Sequence, residues 1–321
     1  MNITPIDKVL VLGSGVLGGQ IAWQVAFKEK HAVVYDINEQ ALDNCKKAYE
    51  TYGDLFRKEF GLSEVDIEFM LKRIRFTTDL KSAVEGVDLV VEAVPEKPEI
   101  KNSVYTELSG YLDEHTLIAT NTSTLLPSQF ADVTGRPEKF CTLHFAATPW
   151  QLNLAEIMAH DTTSRDTIAS ITQFAIEIGM VPIPLKKEQH GYLLNTWLVS
   201  LLNSAQTLVT NGIGTAEDVD RTYMIFNKGS GMGPFGIMDV VGMTTAYNIL
   251  NHWADIYDDK QMRKNADYLK EHFIDKGHYG VQSGQGYYRY PKPAYLMENF
   301  TAVPDMRMVN YFVDVIQPLK A

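Results

Sequence analysis

The chain has 321 residues, enough for two domains each with its own core. A hydrophobic content of 45% and a charged content of 21% describe a globular protein, and the net charge of −11 argues against nucleic acid or an anionic membrane as partner. That charge leaves room for an anionic substrate, because a local lysine cluster overrides a global balance. No apolar run approaches the length of a membrane span, and Met1–Pro5 leads straight into a strand pattern with no signal peptide, which predicts a cytoplasmic protein. Cys45 and Cys141 lie far apart without metal-ligand spacing and read as reduced structural thiols. The histidines show no ligand pairing either, so no metal is predicted.

In chain order, the apolar run Val9–Leu12 reads as a buried strand, broken at Gly13, Ser14 and Gly15. Helical spacing resumes through Val16, Leu17, Gly18, Ile21 and Val25. Glycines then stand at the first, third and sixth places of a strand–turn–helix. Gly13 permits the tight turn, Gly15 lets the backbone approach a pyrophosphate, and Gly18 lets the helix pack close to the strand. The helix start offers free N–H groups and the positive end of a dipole to phosphates. A second apolar strand, His31–Tyr35, ends in Asp36, at the roughly 20-residue offset of the dinucleotide fingerprint. An acid there binds both ribose hydroxyls and repels a 2′-phosphate, and Ile37-Asn38 brings no cation to welcome one. The cofactor read from this pattern is NAD in preference to NADP. The bland reading of Asp36 is a strand-end turn residue.

A polar helical hairpin is predicted over about residues 38–73, projecting from the sheet, with Leu42, Cys45, Tyr49, Tyr52 and Phe56 on one face and Ser63 capping its second helix. Its basic end (Lys72, Arg73, Arg75) is either a solvated face or a place for substrate phosphates. Strand signals recur at residues 87–94, 116–120, 139–145, 154–158 and 180–185, mostly separated by helical patterns. The fold class is therefore α/β, a Rossmann-type doubly wound and mostly parallel sheet. The close pair of strands around His144 and Met158 predicts an antiparallel addition at one edge. From about Gln189 the pattern becomes all-helical, including an apolar helix over Tyr192–Val209 and a capping box at Thr215–Asp218. The division is residues 1–188 for the NAD-binding domain and 189–321 for an all-α substrate-binding domain, whose apolar faces predict a homodimer through the C-terminal helices.

His144 closes an apolar strand, and Glu156 sits inside another. A carboxylate flanked by apolar residues must be paired or shift its pKa. A His–Glu pair suits alcohol oxidation: the imidazole takes the hydroxyl proton as hydride leaves carbon, and the carboxylate fixes the tautomer and stabilises the imidazolium. On spacing alone, a core histidine and an unrelated edge glutamate is the stronger reading.

His144 and Glu156 together with Asn121–Ser123, Gly191–Asn195, Glu92–Glu96, Gly231–Asp239 and Ser283–Tyr290 resemble the 3-hydroxyacyl-CoA dehydrogenase family, in order and spacing, over about residues 7 to 291. Val94–Glu96 and Thr124–Pro127 are most similar to its diketoreductase and L-gulonate 3-dehydrogenase branches, whose substrates come with or without coenzyme A. The resemblance implies NAD-dependent oxidation of the 3-hydroxyl of a 3-hydroxyacyl-CoA to the 3-ketoacyl-CoA, and the reverse reduction. His144 is then the base, Glu156 its orienting carboxylate, Ser123 a hydrogen-bond partner of the 3-oxygen, and Asn195 a group pointing to that oxygen or to the nicotinamide amide. Ala93, Val94, Glu96, Lys101, Asn121 and Ser123 join the glycine turn in the cofactor site. The family's Asn three residues after the histidine is here Ala147, either an introduced change or natural divergence, which predicts weakened turnover or altered substrate choice. The alternatives are a dehydrogenase of β-keto or β-hydroxy acids and esters without coenzyme A, and an NAD-binding structural dimer that has lost its chemistry.

Overall fold

The computed structural model describes residues 2–198, 200–201, 212–214, 223, 226–227, 234–297 and 302–317. Eight strands form one sheet: β1 (Lys8–Leu12), β2 (His31–Tyr35), β3 (Ile74–Thr77), β4 (Leu89–Glu92), β5 (Leu117–Thr120), β6 (Phe140–Phe145), β7 (Leu154–Met158) and β8 (Val181–Leu185). Their order is β3-β2-β1-β4-β5-β6-β7-β8. The first six are parallel and follow the doubly wound 3-2-1-4-5-6 order, with its topological switch between β1 and β4. β7 runs antiparallel to β6, and β8 lies outside β7 and parallel to it. The predicted antiparallel addition is thus two strands, not one.

Helices α1 (Val16–Phe27), α2 (Glu39–Phe60), α3 (Glu64–Leu71), α4 (Leu80–Ala83), α5 (Pro98–Ser109) and α6 (Arg165–Glu177) connect the strands. Both faces of the sheet are covered, so its central strands are buried throughout, as a parallel sheet requires. The expected hairpin is present as α2 and α3. It turns at Gly61, whose φ of 69° is left-handed, and restarts at a Ser63–Asp66 capping box. It does not project. Tyr49 and Phe56 of α2 pack edge-on against Trp23 of α1, with centroids 5.0 and 5.4 Å away. All three rings are buried, and each such burial stabilises by about 1.5–3 kcal/mol, more than a free-standing hairpin could gain. β3 was not expected. Four residues with Arg75 at a sheet edge carry little apolar signal.

Two compact units are Met1–Asn203 with Val303–Ala321, and Ser204–Ala302. The division expected from sequence character, 188/189, lies between β8 and the helix that begins at residue 194. The last helix, α10 (Val309–Ile316), belongs to the sheet unit, where Val309, Phe312, Val313 and Ile316 are buried and the unit's contacts join it to α6 and β8. In the second unit α7 (Pro234–Val241), α8 (Met243–Tyr257) and α9 (Lys260–His272) are described. There buried Asp239 accepts the Tyr287 and Tyr288 N–H groups and the Tyr290 hydroxyl at 2.8, 2.9 and 3.0 Å, joining the two late motifs. Much of the predicted helix over Tyr192–Val209, the Thr215–Asp218 capping box and most of the glycine cluster 229–236 lie outside the described residues. Among the described residues no helix is long and apolar enough to cross a membrane, and no cluster of metal-ligating side chains occurs.

Candidate active site

Strand register builds the site. Leu12 pairs with Tyr35 and with Glu92, and Glu92 pairs with Thr120. The next residues, Gly13, Asp36, Ala93 and Asn121, therefore emerge in one row at the carboxyl edge, where open α/β sheets bind ligands. Thr120 pairs with Thr142, which brings His144 to the same edge on the neighbouring strand.

The glycine turn has the shape a pyrophosphate needs. Gly13 has φ 102°, and a Cβ there would meet the Ala93 carbonyl oxygen at 2.5 Å. A Cβ on Gly18 would meet the Gly13 carbonyl oxygen at 2.0 Å, so only glycine allows this approach of helix to turn. At Gly15, the N-cap of α1, the space for a side chain is open and no side chain caps the helix. Ser14 follows the turn with its N–H and hydroxyl donated to Asp36 Oδ2 at 2.9 and 2.8 Å. The Asp36 carboxylate is thus held at the turn, and its Oδ1 accepts the Asn38 N–H at 3.0 Å. Val16 is exposed and Leu17 half-buried at the start of the same helix. Open amides, an uncrowded cradle and a fixed acid fit a dinucleotide.

The other expected cofactor residues divide. Asn121 Oδ1 accepts the Phe145 N–H at 2.9 Å and so ties β5 to β6. Glu96 Oε1 accepts the Thr122 and Thr124 hydroxyls and the Ser123 N–H. Burial alone would raise the Glu96 carboxyl, but these bonds and the Lys101 ammonium outweigh it and hold the group below its ordinary value. Lys101 was expected to line the cofactor site. It is buried, with its Nζ 2.7 Å from Glu92 and 3.3 Å from Glu96, and reaches the edge only through Glu96. Val94 donates its N–H to Glu92 at 2.9 Å. Glu92 had no expected role. Its oxygens also accept Tyr105 and Thr120 hydroxyls, both at 2.7 Å. An acid inside the apolar run of β4 was the available signal, the same one that singled out Glu156.

His144 and Glu156 are direct cross-strand partners on β6 and β7. Their side chains meet at 2.8 Å, Nδ1 to Oε2, and are 4% and 1% exposed as residues. Glu156 Oε1 accepts the N–H groups of Leu193 and Leu194 at 2.9 and 3.0 Å, where residues 194–198 begin a helix. Helix-start amides stabilise a carboxylate. Tyr192 packs edge-on against the imidazole, centroids 5.2 Å apart, and donates its hydroxyl to the Leu125 carbonyl. Burial pushes its phenol well above the ordinary value, so it stays a neutral wall. With Nδ1 engaged, Nε2 has no partner among the described residues and is the nitrogen left for a substrate. Asn195 Nδ2 donates to the Ser123 carbonyl at 3.2 Å, bringing those two together through the backbone. A glutamate-held imidazole on the edge that carries a dinucleotide turn can move a proton beside a hydride.

Known proteins share this plan. The NAD-binding-domain model of 3-hydroxyacyl-CoA dehydrogenase matches residues 8–189, and the C-terminal-domain model of that family matches residues 191–290. The chain belongs to the 3-hydroxyacyl-CoA dehydrogenase family. Its cofactor is NAD, and it is an oxidoreductase. It is 32% identical to the mitochondrial hydroxyacyl-coenzyme A dehydrogenase of Homo sapiens over 291 residues, covering 89% of this chain and 91% of that one. Among solved structures, a diketoreductase described as catalysing reactions of dicarbonyl compounds is 45% identical, covers 90% of this chain and 100% of its own, and has a TM-score of 0.66. (S)-3-Hydroxybutyryl-CoA dehydrogenase from Ralstonia eutropha is 26% identical, with coverage of 89% and 100% and a TM-score of 0.65.

Proposed function

We propose that the chain interconverts a 3-hydroxy and a 3-keto group on a small acid or ester, with His144 as the proton-transfer residue. The 2.8 Å His144–Glu156 contact at the carboxyl edge carries this reading. When bound, NAD supplies the acceptor for hydride. His144 Nε2 takes the proton of the 3-hydroxyl, and Glu156, held by two backbone N–H groups, keeps the Nδ1 proton in place and offsets the charge of the imidazolium. In reduction the same nitrogen returns the proton. The Ser123 hydroxyl binds the 3-oxygen, and Asn195 steadies Ser123 through its carbonyl.

The basic end of the hairpin favours a substrate without a phosphorylated carrier. Arg73 donates to the Glu29 carbonyl at 2.7 Å, just before β3 and so at the amino edge, opposite the glycine turn. Arg75 donates to the Ser82 carbonyl at 2.8 Å, and Lys72 lies 5.0 Å from the Phe69 ring. These cations are engaged locally. The 45% identity to a diketoreductase points the same way. Oxidation of a 3-hydroxyacyl-CoA is the second reading, favoured by the family models over the whole chain. The reading includes a homodimer through the C-terminal helices, where Phe235, Val240 and Val241 of α7 are exposed, and a cytoplasmic location in keeping with two free buried thiols.

NADH oxidation with β-keto esters, free β-keto acids and acetoacetyl-CoA separates the substrate readings; the highest kcat/KM is expected for a carrier-free compound. His144→Gln is expected to lower kcat about 10²–10⁴-fold while leaving the NADH dissociation constant within twofold. Turnover preserved in that variant overturns the assignment of His144. Tight NADH binding without turnover of any β-keto compound leaves only a cofactor-binding dimer.

A further inference from the structure

The loop that follows His144 is fastened to the helix that begins at the glycine turn, and Gln20 is the fastening. Ala147 is exposed on this loop. Thr148 has φ 53°, in the left-handed region that β-branched residues avoid, so the surroundings must hold it there. Its N–H is donated to Gln20 Oε1 at 2.8 Å, and its hydroxyl to the Ala147 carbonyl at 2.7 Å. Gln20 is 5% exposed, and a hydrogen bond in such surroundings is stronger than one at the surface.

The rest of the loop follows Thr148 onto α2. Trp150 packs on Tyr52 and Phe56 with centroids 5.1 and 5.3 Å away, and Gln151 bonds Glu59 at 3.0 Å on the surface. Burial raises the Tyr52 phenol, and the neighbouring Gln20 side chain draws it partly back. Gln20 stands one turn beyond Val16, the first residue of α1. The rigid helix that starts at the pyrophosphate turn therefore also carries the chain leaving the imidazole.

We propose that Gln20 is a positioning residue for the reaction: by locking Thr148 in its left-handed conformation, it sets the cofactor helix and the His144 strand end as one body. The proposal rests on the proton-transfer reading of His144. Loss of the lock widens the distribution of donor–acceptor distances at the reacting carbon, which lowers kcat without touching the groups that bind the dinucleotide.

The test compares Gln20→Met, which keeps the shape and loses the acceptor, with Gln20→Glu, which keeps an acceptor for the Thr148 N–H. Expected are a tenfold or greater fall in kcat for Q20M, with substrate KM and NADH Kd within twofold, and recovery to within threefold in Q20E. Thr148→Gly adopts the left-handed region without help, so Q20M should cost less than threefold in a T148G background. The proposal is overturned by parental kcat in Q20M, by equal losses in Q20E and Q20M, by an undiminished loss in T148G, or by a parallel loss of NADH affinity. Gln20→Leu replaces Q20M should that variant fail to fold; if neither folds while Q20E does, the role is structural and the proposal fails. His144→Gln in the same assay keeps the two ideas apart: an active H144Q removes the proton-transfer reading, whereas an inactive H144Q beside a fully active Q20M removes only this one.

Discussion

Glu92 and Glu156 are the same local pattern with opposite fates. Each is an acid inside an apolar strand of one sheet, 0% and 1% exposed. Glu92 is closed on every side by Lys101 Nζ, Val94 N–H and the hydroxyls of Tyr105 and Thr120. Glu156 is held by two helix-start amides and by an imidazole whose second nitrogen has no partner among the described residues. A buried carboxylate must be satisfied in either case. The difference lies in reach: the imidazole beside Glu156 stands at the carboxyl edge, whereas Lys101 is buried between Glu92 and Glu96.

The comparison breaks most sharply under matched substitutions. Glu156→Gln is expected to lower kcat about 10²–10⁴-fold, because a neutral amide no longer offsets the imidazolium, with little change in NADH affinity. Glu92→Gln is expected to act on stability: leaving Lys101 without its closest buried counter-charge costs about 3–5 kcal/mol. For a unit of this size that lowers Tm by roughly 6–20 °C, read by calorimetry, while kcat of the folded fraction stays near parental. Exchange of these two phenotypes would refute the contrast.

Smaller changes sharpen it. Ala147→Asn, beside His144 in sequence, is expected to raise kcat/KM for a 3-hydroxy substrate about tenfold or more, the value of about 1–3 kcal/mol for an active-site amide. No rise with any such substrate removes position 147 from the chemistry. Glu96 gives the least effect. Its carboxyl titrates below the ordinary value of 4.5 in the folded protein, so its contribution is full above that pH and is lost as pH falls through the lower folded value. Glu96→Gln should therefore be less stable than the parent at neutral pH, and the difference in Tm should vanish in acid below the folded value.

What could be read in advance followed how local each feature is. Gly13, Gly15, Gly18 and Asp36 act through turn geometry and a single strand end, and the structure gathers them at the turn from β1 into α1. Glu156 carried its own signal, since an acid among Leu154, Ala155, Ile157 and Met158 demands a partner. Glu92 carried the same signal in β4, but neither Lys101 nor Tyr105 could be assigned to it from the far face of a helix. Gln20 looked like one more residue of an apolar helix, and a threonine at 148 does not advertise a left-handed backbone as glycine would. Arg73 and Arg75 left two readings open, because their carbonyl partners, Glu29 and Ser82, come from other elements.

Residue order alone determined the strand–turn–helix, the choice of NAD and the alternation that makes a doubly wound sheet, because hydrophobic period and glycine sterics act over a few residues. Only the tertiary structure decided which buried acid is sealed by its neighbours and which holds an imidazole, and that Gln20 ties the cofactor helix to the loop after the histidine strand. Strand register and the packing of helix on loop bring together side chains tens of residues apart, and no short-range pattern records which pairs will meet.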